Sequence, residues 1–464
     1  MKLKLTALLH LCILIAVAIT FSACAQNARN LKGTWKMEGY GKIIDIRDSA
    51  VNLYDTTSFS CVSKEKLKLK DLGFLGQFKQ IAQDTLMLSS GITTYRLIRI
   101  AGLPDHCKIK GNLNTDPLYN FDVFYHTFRE NYAYFKTRNI NWDSLYTHTR
   151  IKISKQTTPA ELYGLLSEMT VRVGDGHTTI AKPEELKGTP SKTADAVVEV
   201  LPLKEIRDHV LYQNLKDPTI AGRNSEGKGL INWGVIKGDI GYIQINGMIC
   251  YLDFNIPDSL TGDKYWEKYS NHVYKETDVQ AKEAAKAGQI ISRALNELRG
   301  TKGIILDLRF NDGGFDAVSL ELLKHFVAAK TLVFNKQAWI GKGLTAKQEI
   351  FVEPAEVTYK KPVVLLTSNH TASAAETFTL GTMAFKNFIR IGHKTQGIFS
   401  DALPKQLPNG WEFTLSNEIF TSASGRNLEN IGISPDVNTG PEQLKNLLVK
   451  DAALEAAVFK LNKR

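Results

Sequence analysis

The stretch Pro362-Val363-Val364-Leu365-Leu366-Thr367-Ser368-Asn369-His370-Thr371-Ala372-Ser373-Ala374-Ala375-Glu376 runs from an apolar segment through a polar turn into a helical pattern. An unbroken run of Val and Leu closed by turn residues reads as a strand buried on both faces, the kind found inside a parallel sheet. The helix that follows begins at Ser373. A serine there has two readings. The plain one is a helix cap, its hydroxyl accepting from the first free N–H groups. The other is a presented nucleophile, with Oγ lifted from the fold, backbone N–H groups nearby for an oxyanion, and the positive end of the helix dipole beneath it.

The neighbouring segments repeat the strand-to-helix theme. Gly303-Ile304-Ile305-Leu306-Asp307-Leu308-Arg309-Phe310-Asn311-Asp312-Gly313-Gly314 is a second buried strand, closed by paired glycines that free the backbone to aim amides at a ligand. From Ile240 the pattern gives strand 240–245, a polar insert, helix 279–299, strand 303–308, helix 315–327, strand 362–367, helix 373–385 and strand 388–392. Strands alternating with helices predict an α/β core, a mostly parallel sheet with right-handed crossovers. The insert 250–278, rich in Tyr, Asp, Asn and Lys, is long for a connection and reads as a lid.

Upstream, Phe121, Phe124, Phe128, Tyr132 and Phe135 form an aromatic stripe at helical spacing, read as core. Thr158-Pro159-Ala160-Glu161 is a capping box with proline at the first helical position. The helix it opens leads into an expected strand over 171–180 that carries Val173-Gly174-Asp175-Gly176-His177-Thr178-Thr179, a histidine in a glycine turn.

Four motifs in order, namely Asp-Gly-His at 175–177, Leu-Asp-Leu-Arg-x-Asn-x-Gly-Gly at 306–314, Ala-Ser-Ala-Ala-Glu at 372–376 and Glu429-Asn430-Ile431-Gly432-Ile433-Ser434-Pro435-Asp436, resemble those of the C-terminal-processing (tail-specific) serine peptidases. The resemblance covers roughly residues 115–440 and is to the tricorn-like branch. One branch of that family takes its base from a lysine about 25 residues after the serine; here that position is Ile398. The tricorn-like branch implies instead Ser373 as nucleophile, His177 as general base and Glu429 as the residue that orients it. The rival to it is a displaced lysine mechanism, with Lys394 or Lys405 reaching the site from a remodelled loop. That branch carries a serine just before the histidine, where this chain has Gly176. His370 and His393 stand near Ser373 in sequence and are alternative bases. The N–H groups of Ala374, Gly313 and Gly314 are the expected oxyanion donors. Glu376, in the first turn of the Ser373 helix, is explained by the dipole without chemistry, and Asp307 with Arg309 reads as a paired network at the end of a buried strand. The resemblance implies a polypeptide substrate and neither metal nor organic cofactor. A non-catalytic lipid- or peptide-binding protein on the same fold is the alternative, and a surface lipoprotein that works through its N-terminal β domain is another.

The chain opens with Met1-Lys2-Leu3-Lys4, an apolar stretch from Leu5 to Phe21, and Ser22-Ala23-Cys24. This reads as an export signal, and the small residues before Cys24 resemble a bacterial lipobox, which places a lipid on Cys24 and the protein on a cell-envelope membrane. An ordinary signal peptide cut near Ala23 or Ala25 is the alternative. The expected organisation is signal peptide 1–23, small β domain 24–112, helical subdomain 113–182, linker with a β hairpin in place of a PDZ domain over 183–235, α/β core 236–440, and C-terminal helix 441–464. The formal charge is +10, from 58 Lys and Arg against 48 Asp and Glu. These are spread without an arginine run or interleaved aromatics, so the sequence argues against nucleic acid as a partner. Five cysteines without a CxxC, and no HExxH, argue against zinc or a thiol nucleophile, while export permits a Cys61–Cys107 disulfide.

Overall fold

The computed structural model describes residues 31–108, 114–187, 202–273, 275–440 and 444–463. The segment expected to be a signal, Cys24 and the strand expected over 197–201 lie outside the described residues.

Short alternating segments in the N-terminal part build an antiparallel sheet from β1 (Gly33–Met37), β2 (Lys42–Ile46), β3 (Ala50–Thr56), β4 (Cys61–Lys68), β5 (Gln77–Ala82), β6 (Thr85–Ser90) and β7 (Thr93–Ile100), in the order β4-β3-β2-β1-β7-β6-β5. One face carries Trp35, Ile44, Ile46, Val51, Leu86, Leu88 and Leu97 into a core shared with the aromatic stripe. A disulfide joins Cys61 to Cys107. The stripe lies on α1 (Pro117–Asn131), where Phe121, Phe124 and Phe128 are fully buried. Next come α2 (Trp142–Arg150) and α3 (Pro159–Val173), the latter opened by the Thr158/Glu161 capping box.

The strand expected over 171–180 does not form. The buried face of α3, with Leu162, Leu166, Met169 and Val173, continues at helical spacing to Val173, and Gly174 ends the helix in the left-handed conformation at φ 65°. β-branched residues there favour a strand only weakly, and tertiary burial on the helical face prevails. Beyond that glycine the chain is a turn, with a single bridge from Ile180 to Phe413.

The second large sheet has β8 (Thr219–Asn224), β9 (Gly227–Ile236), β10 (Ile240–Ile245), β11 (Ile304–Asp307), β14 (Val363–Thr367), β15 (Phe388–Gly392) and β19 (Val437–Asn438), ordered β19-β15-β14-β11-β10-β9-β8. Pairing is parallel from β10 to β19 and antiparallel through β8 and β9. The hairpin read as part of a linker is therefore the edge of this sheet, preceded by α4 (Leu203–Asn214). Every residue of β10, β11 and β14 is buried, which explains their continuous apolar sequence. Crossovers run through α6 (Val279–Glu297), α7 (Asp316–Lys324) and α8 (Ala374–Thr382), and α9 (Ala452–Asn462) packs on the opposite face. Arg309 is fully buried on Asp307 and Asp451, and Tyr242 donates to Asp307.

The insert read as a lid is tied down. It holds α5 (Gly262–Val273), whose Tyr265 and Tyr269 are buried in the main core, and its backbone at Tyr251 and Leu252 donates to Glu283 of α6. Two smaller sheets, β12 (Thr331–Ala338) with β13 (Gln348–Val352) and β18 (Glu418–Ser422), and the hairpin of β16 (Ala402–Gln406) and β17 (Glu412–Ser416), join the core to the N-terminal half. Periodicity alone did not find these short strands.

Candidate active site

Strand β14 leads to Ser373 through a turn stitched to the end of β11. Ala372 N–H donates to Asn311 C=O at 3.1 Å, Thr371 Oγ1 to Leu308 C=O at 2.9 Å and Ser368 Oγ to Arg309 C=O at 2.6 Å. Ser373 itself sits at φ 51°, ψ −124°, a region that a residue with a Cβ rarely occupies, and its side chain makes no capping hydrogen bond. Capping therefore does not account for it. The glycine turn after β11 lies directly against it: a Cβ on Gly314 would meet Met248 backbone at 2.5 Å, and one on Gly313 would meet the Ser373 Cβ at 2.6 Å.

Of the three expected oxyanion donors, Gly313 is corrected. Its N–H donates to Asn311 Oδ1 at 3.0 Å, an Asx turn that shapes the loop and removes that donor. Ala374 N–H precedes the helical ladder, and among the described residues neither it nor Gly314 N–H has a partner.

His177 belongs to a half-buried turn in which Asp175 Oδ1 accepts its N–H at 3.0 Å and its own C=O accepts from Thr414 Oγ1 at 2.7 Å. The ring's Nδ1 faces the Ser400 carbonyl. A carbonyl only accepts, so Nδ1 carries the proton and Nε2 is the basic nitrogen. No hydrogen bond joins His177 to Ser373 in this structure.

Glu429 makes no hydrogen bond to the His177 ring. Its Oε1 takes Arg138 Nη2 at 3.1 Å, and Oε2 accepts the N–H groups of Phe399 at 2.8 Å and Ser400 at 3.3 Å. Arg138 also stands 3.6 Å from Asp175, so the Asp-Gly-His turn and the Glu429 segment share one guanidinium. Burial, with Asp175 nearby, pushes the Glu429 carboxyl up to about 7 against the pull of the Phe399 N–H and Arg138.

The loop 395–401 connects these parts. Glu376 of α8, fully buried, accepts from Thr395 Oγ1 at 2.5 Å, Gly397 N–H at 2.8 Å and Ile398 N–H at 2.7 Å. Burial raises its carboxyl to about 7 despite those donors. On the other side the Glu-Asn-Ile-Gly-Ile segment is zipped to the same loop, with Asn430 N–H on Gly397 C=O at 2.7 Å and Thr395 N–H on Ile433 C=O at 3.1 Å. A Cβ on Gly432 would lie 2.2 Å from Thr395 O, so only glycine permits this approach. Gly176 packs on Ile398, at the position where the other branch would place its lysine. Ser373, His177 and Glu429 are thus held by one loop whose members Ser400 and Asp401 the sequence did not flag.

Among the alternative bases, the His393 Nδ1 faces Lys394 C=O at 3.2 Å, and burial pushes the His370 imidazole down. Among the described residues no group of His, Cys, Asp or Glu has a geometry that would hold a metal.

Residues 239–439 match the model of peptidase family S41, and residues 114–170 match the tricorn protease C1 domain. The segment 239–439 carries the pattern of family S41. The carboxyl-terminal-processing protease of Synechocystis is 24% identical over 42% of this chain and 41% of its own length, and the carboxy-terminal processing protease CtpA of Bacillus subtilis is 25% identical over 61% and 57%. The chain therefore spans about half the length of these curated relatives. Among solved structures, a putative peptidase from Parabacteroides merdae shares the S41 fold at TM-score 0.56 and 22% identity, over 75% of this chain and 96% of that one.

Proposed function

We propose that this protein is a serine peptidase that cleaves polypeptides through an acyl-enzyme on Ser373. The observation that carries the reading is the Ser373 backbone. It occupies a costly conformation at a strand-to-helix junction, its hydroxyl is not spent on a cap, the Ala374 N–H that follows it is unpartnered, and the Gly313-Gly314 turn packs against it.

In this mechanism Nε2 of His177 takes the Ser373 Oγ proton as Oγ attacks the scissile carbonyl. The oxyanion is received by Ala374 and Gly314 N–H. Collapse releases the amine, which takes the proton from His177, and a water deprotonated by the same nitrogen then hydrolyses the ester. Glu429 acts one step removed, by holding the N–H groups of Phe399 and Ser400, and the carbonyl of Ser400 holds the ring.

Treating the full chain with a fluorophosphonate and mapping the adduct tests this. Labelling of Ser373 that disappears in Ser373→Ala, together with loss of peptide cleavage, is expected. A parent protein that neither labels nor cleaves would favour the non-catalytic binding protein.

We also propose an envelope location with a lipid on Cys24, supported by the apolar run and the Ser22-Ala23-Cys24 ending. Cys24→Ser should leave the membrane fraction and lose the acyl mass; a variant that stays membrane-bound would place the anchor elsewhere.

A further inference from the structure

Behind Ser400 lies a set of charges contributed by three separate parts of the chain. Lys336 of β12 is almost fully buried, and its Nζ stands 3.0 Å from Glu418 Oε2 and 3.2 Å from Asp401 Oδ2 while donating to Thr93 Oγ1 of β7 at 2.6 Å. Glu418 of β18 accepts from Tyr40 OH at 2.5 Å through its other oxygen. Both carboxyl residues bracket the residue that holds His177. Glu418 N–H donates to Ser400 Oγ at 3.1 Å, that hydroxyl donates to Asp401 C=O at 3.0 Å, and Asp401 is the next residue in the chain.

The charges do not balance. One ammonium faces two carboxyl groups, with Asp316 of α7 as a third nearby and Tyr40 and Tyr95 completing the surround. Burial pushes the Glu418 carboxyl up, with Asp401 adding to the rise, and Asp316 is pushed up for the same reasons. Asp401 goes the other way. Desolvation would raise it, but Lys336 outweighs that, and hydrogen bonding and the His177 charge add to the lowering. Its side chain is half exposed, yet it lines a cavity of about 350 Å³ between the N-terminal sheet and the β16–β17 hairpin, so protein crowds a carboxylate that water still reaches. Of the three carboxyl groups around Lys336, Asp401 is the one pushed toward its charged form.

We propose that Asp401, fixed by Lys336, is a positioning residue for His177: its charge stabilises the imidazolium while the adjacent Ser400 carbonyl holds the ring, and the N-terminal sheet, through Thr93 and Tyr40, braces this pair. The proposal rests on His177 as the general base. It assigns to Asp401 the electrostatic part that Glu429 cannot fully supply, since Glu429 shares its charge with Arg138. It also makes the N-terminal sheet part of the reacting machinery.

The test uses the full chain and the second-order rate of fluorophosphonate labelling across pH. Parent and His177→Ala come first, because a His177→Ala protein that labels at the parent rate overturns the general-base reading itself. With that reading standing, Asp401→Asn should lower the plateau by about 10-fold and move the rising limb to lower pH, since removing a nearby anion lowers an imidazole pKa. Nuclear magnetic resonance titration of the His177 ring should move by the same amount, and Asp401→Glu should restore much of both. An Asp401→Asn protein with the parent plateau and limb overturns the proposal, and so does one that loses rate with the limb and the ring titration unmoved, because that is a packing defect. Tyr40→Phe, which removes one hydroxyl and no packing volume, tests the bracing independently should Asp401→Asn not fold. A two- to fivefold loss of labelling, about the weight of one hydrogen bond, is expected, and the parent rate there overturns the role of the N-terminal sheet.

Discussion

Gly313 lies against Ser373 so closely that a Cβ on the glycine would stand 2.6 Å from the serine Cβ and 2.9 Å from the Ala374 nitrogen. The two strand ends that carry these residues are fixed to each other by the Ala372 N–H on Asn311, so neither side has room to give. Gly313 is also at φ 109°, where a Cβ is strained whatever the space. Gly313→Ala is therefore expected to push Ser373 and the Ala374 N–H out of line. A displacement on the order of 1 Å at a reacting group costs roughly 100-fold. The labelling rate at Ser373 measures this, and a folded Gly313→Ala protein that labels like the parent would remove the close approach as a requirement.

The conformation of Ser373 predicts an order of stabilities. At φ 51°, ψ −124° glycine is free of the strain that any Cβ brings, and such strain costs about 1–3 kcal/mol. Part of that gain is offset by the greater freedom of glycine in the unfolded chain, about 0.4–1 kcal/mol. Ser373→Gly should melt above Ser373→Ala, with both inactive by about 10³- to 10⁶-fold. The reverse order of melting temperatures would show that the backbone is relaxed at this point.

The core was legible because buried parallel strands write themselves as unbroken apolar runs, and Ile304–Asp307 and Val363–Thr367 are where those runs stand. Ser373 was legible for the same reason, since it is where such a run turns into a helix. The strand expected before His177 failed because Val171 and Val173 carry β-branched propensity, while the packing of α3 and the Gly174 stop decide the matter. Ser400 and Asp401 had no local signal. Their place beside His177 comes from contacts across more than 200 positions of sequence, made by a backbone carbonyl that every residue possesses. Lys336 and Glu418 are hidden likewise, as charged residues on short strands that read as surface until the N-terminal sheet covers them.

The raised carboxyl groups of Glu376 and Glu429 predict how stability varies with pH. Each sits near 7 in the folded chain because burial disfavours its charge, against an ordinary value near 4.5. The folded state thus holds these protons more tightly than the unfolded one. Their contribution is fully present below about pH 4.5 and is lost as pH rises through 7, on the order of 3 kcal/mol for each. Denaturant melts between pH 5 and 8 should show this decline, and Glu429→Gln should flatten part of it. A parent protein that gains stability over that window, or a Glu429→Gln slope equal to the parent's, would show that Glu429 is ionised throughout.

Lys405 separates a histidine base from a displaced lysine. Burial pushes its ammonium down to about 7 against the pull of Asp55, the range in which a lysine serves as a base. Its contacts say otherwise. Nζ donates to the carbonyls of Tyr40 and Gly41 at 2.7 Å each and stands 3.3 Å from Asp55, so it joins the β16–β17 hairpin to the N-terminal sheet. Lys394 is exposed, with its stem beside Gly432. Lys405→Met should lower the melting temperature, because two buried carbonyls lose their donor and Asp55 loses a cation. The molecules that remain folded should label at Ser373 at close to the parent rate, as should Lys394→Ala. His177→Ala should fold normally and lose at least about 10³-fold. A folded Lys405→Met protein as slow as His177→Ala would move the base to the lysine and leave the Ser400 carbonyl holding a ring that takes no part in proton transfer.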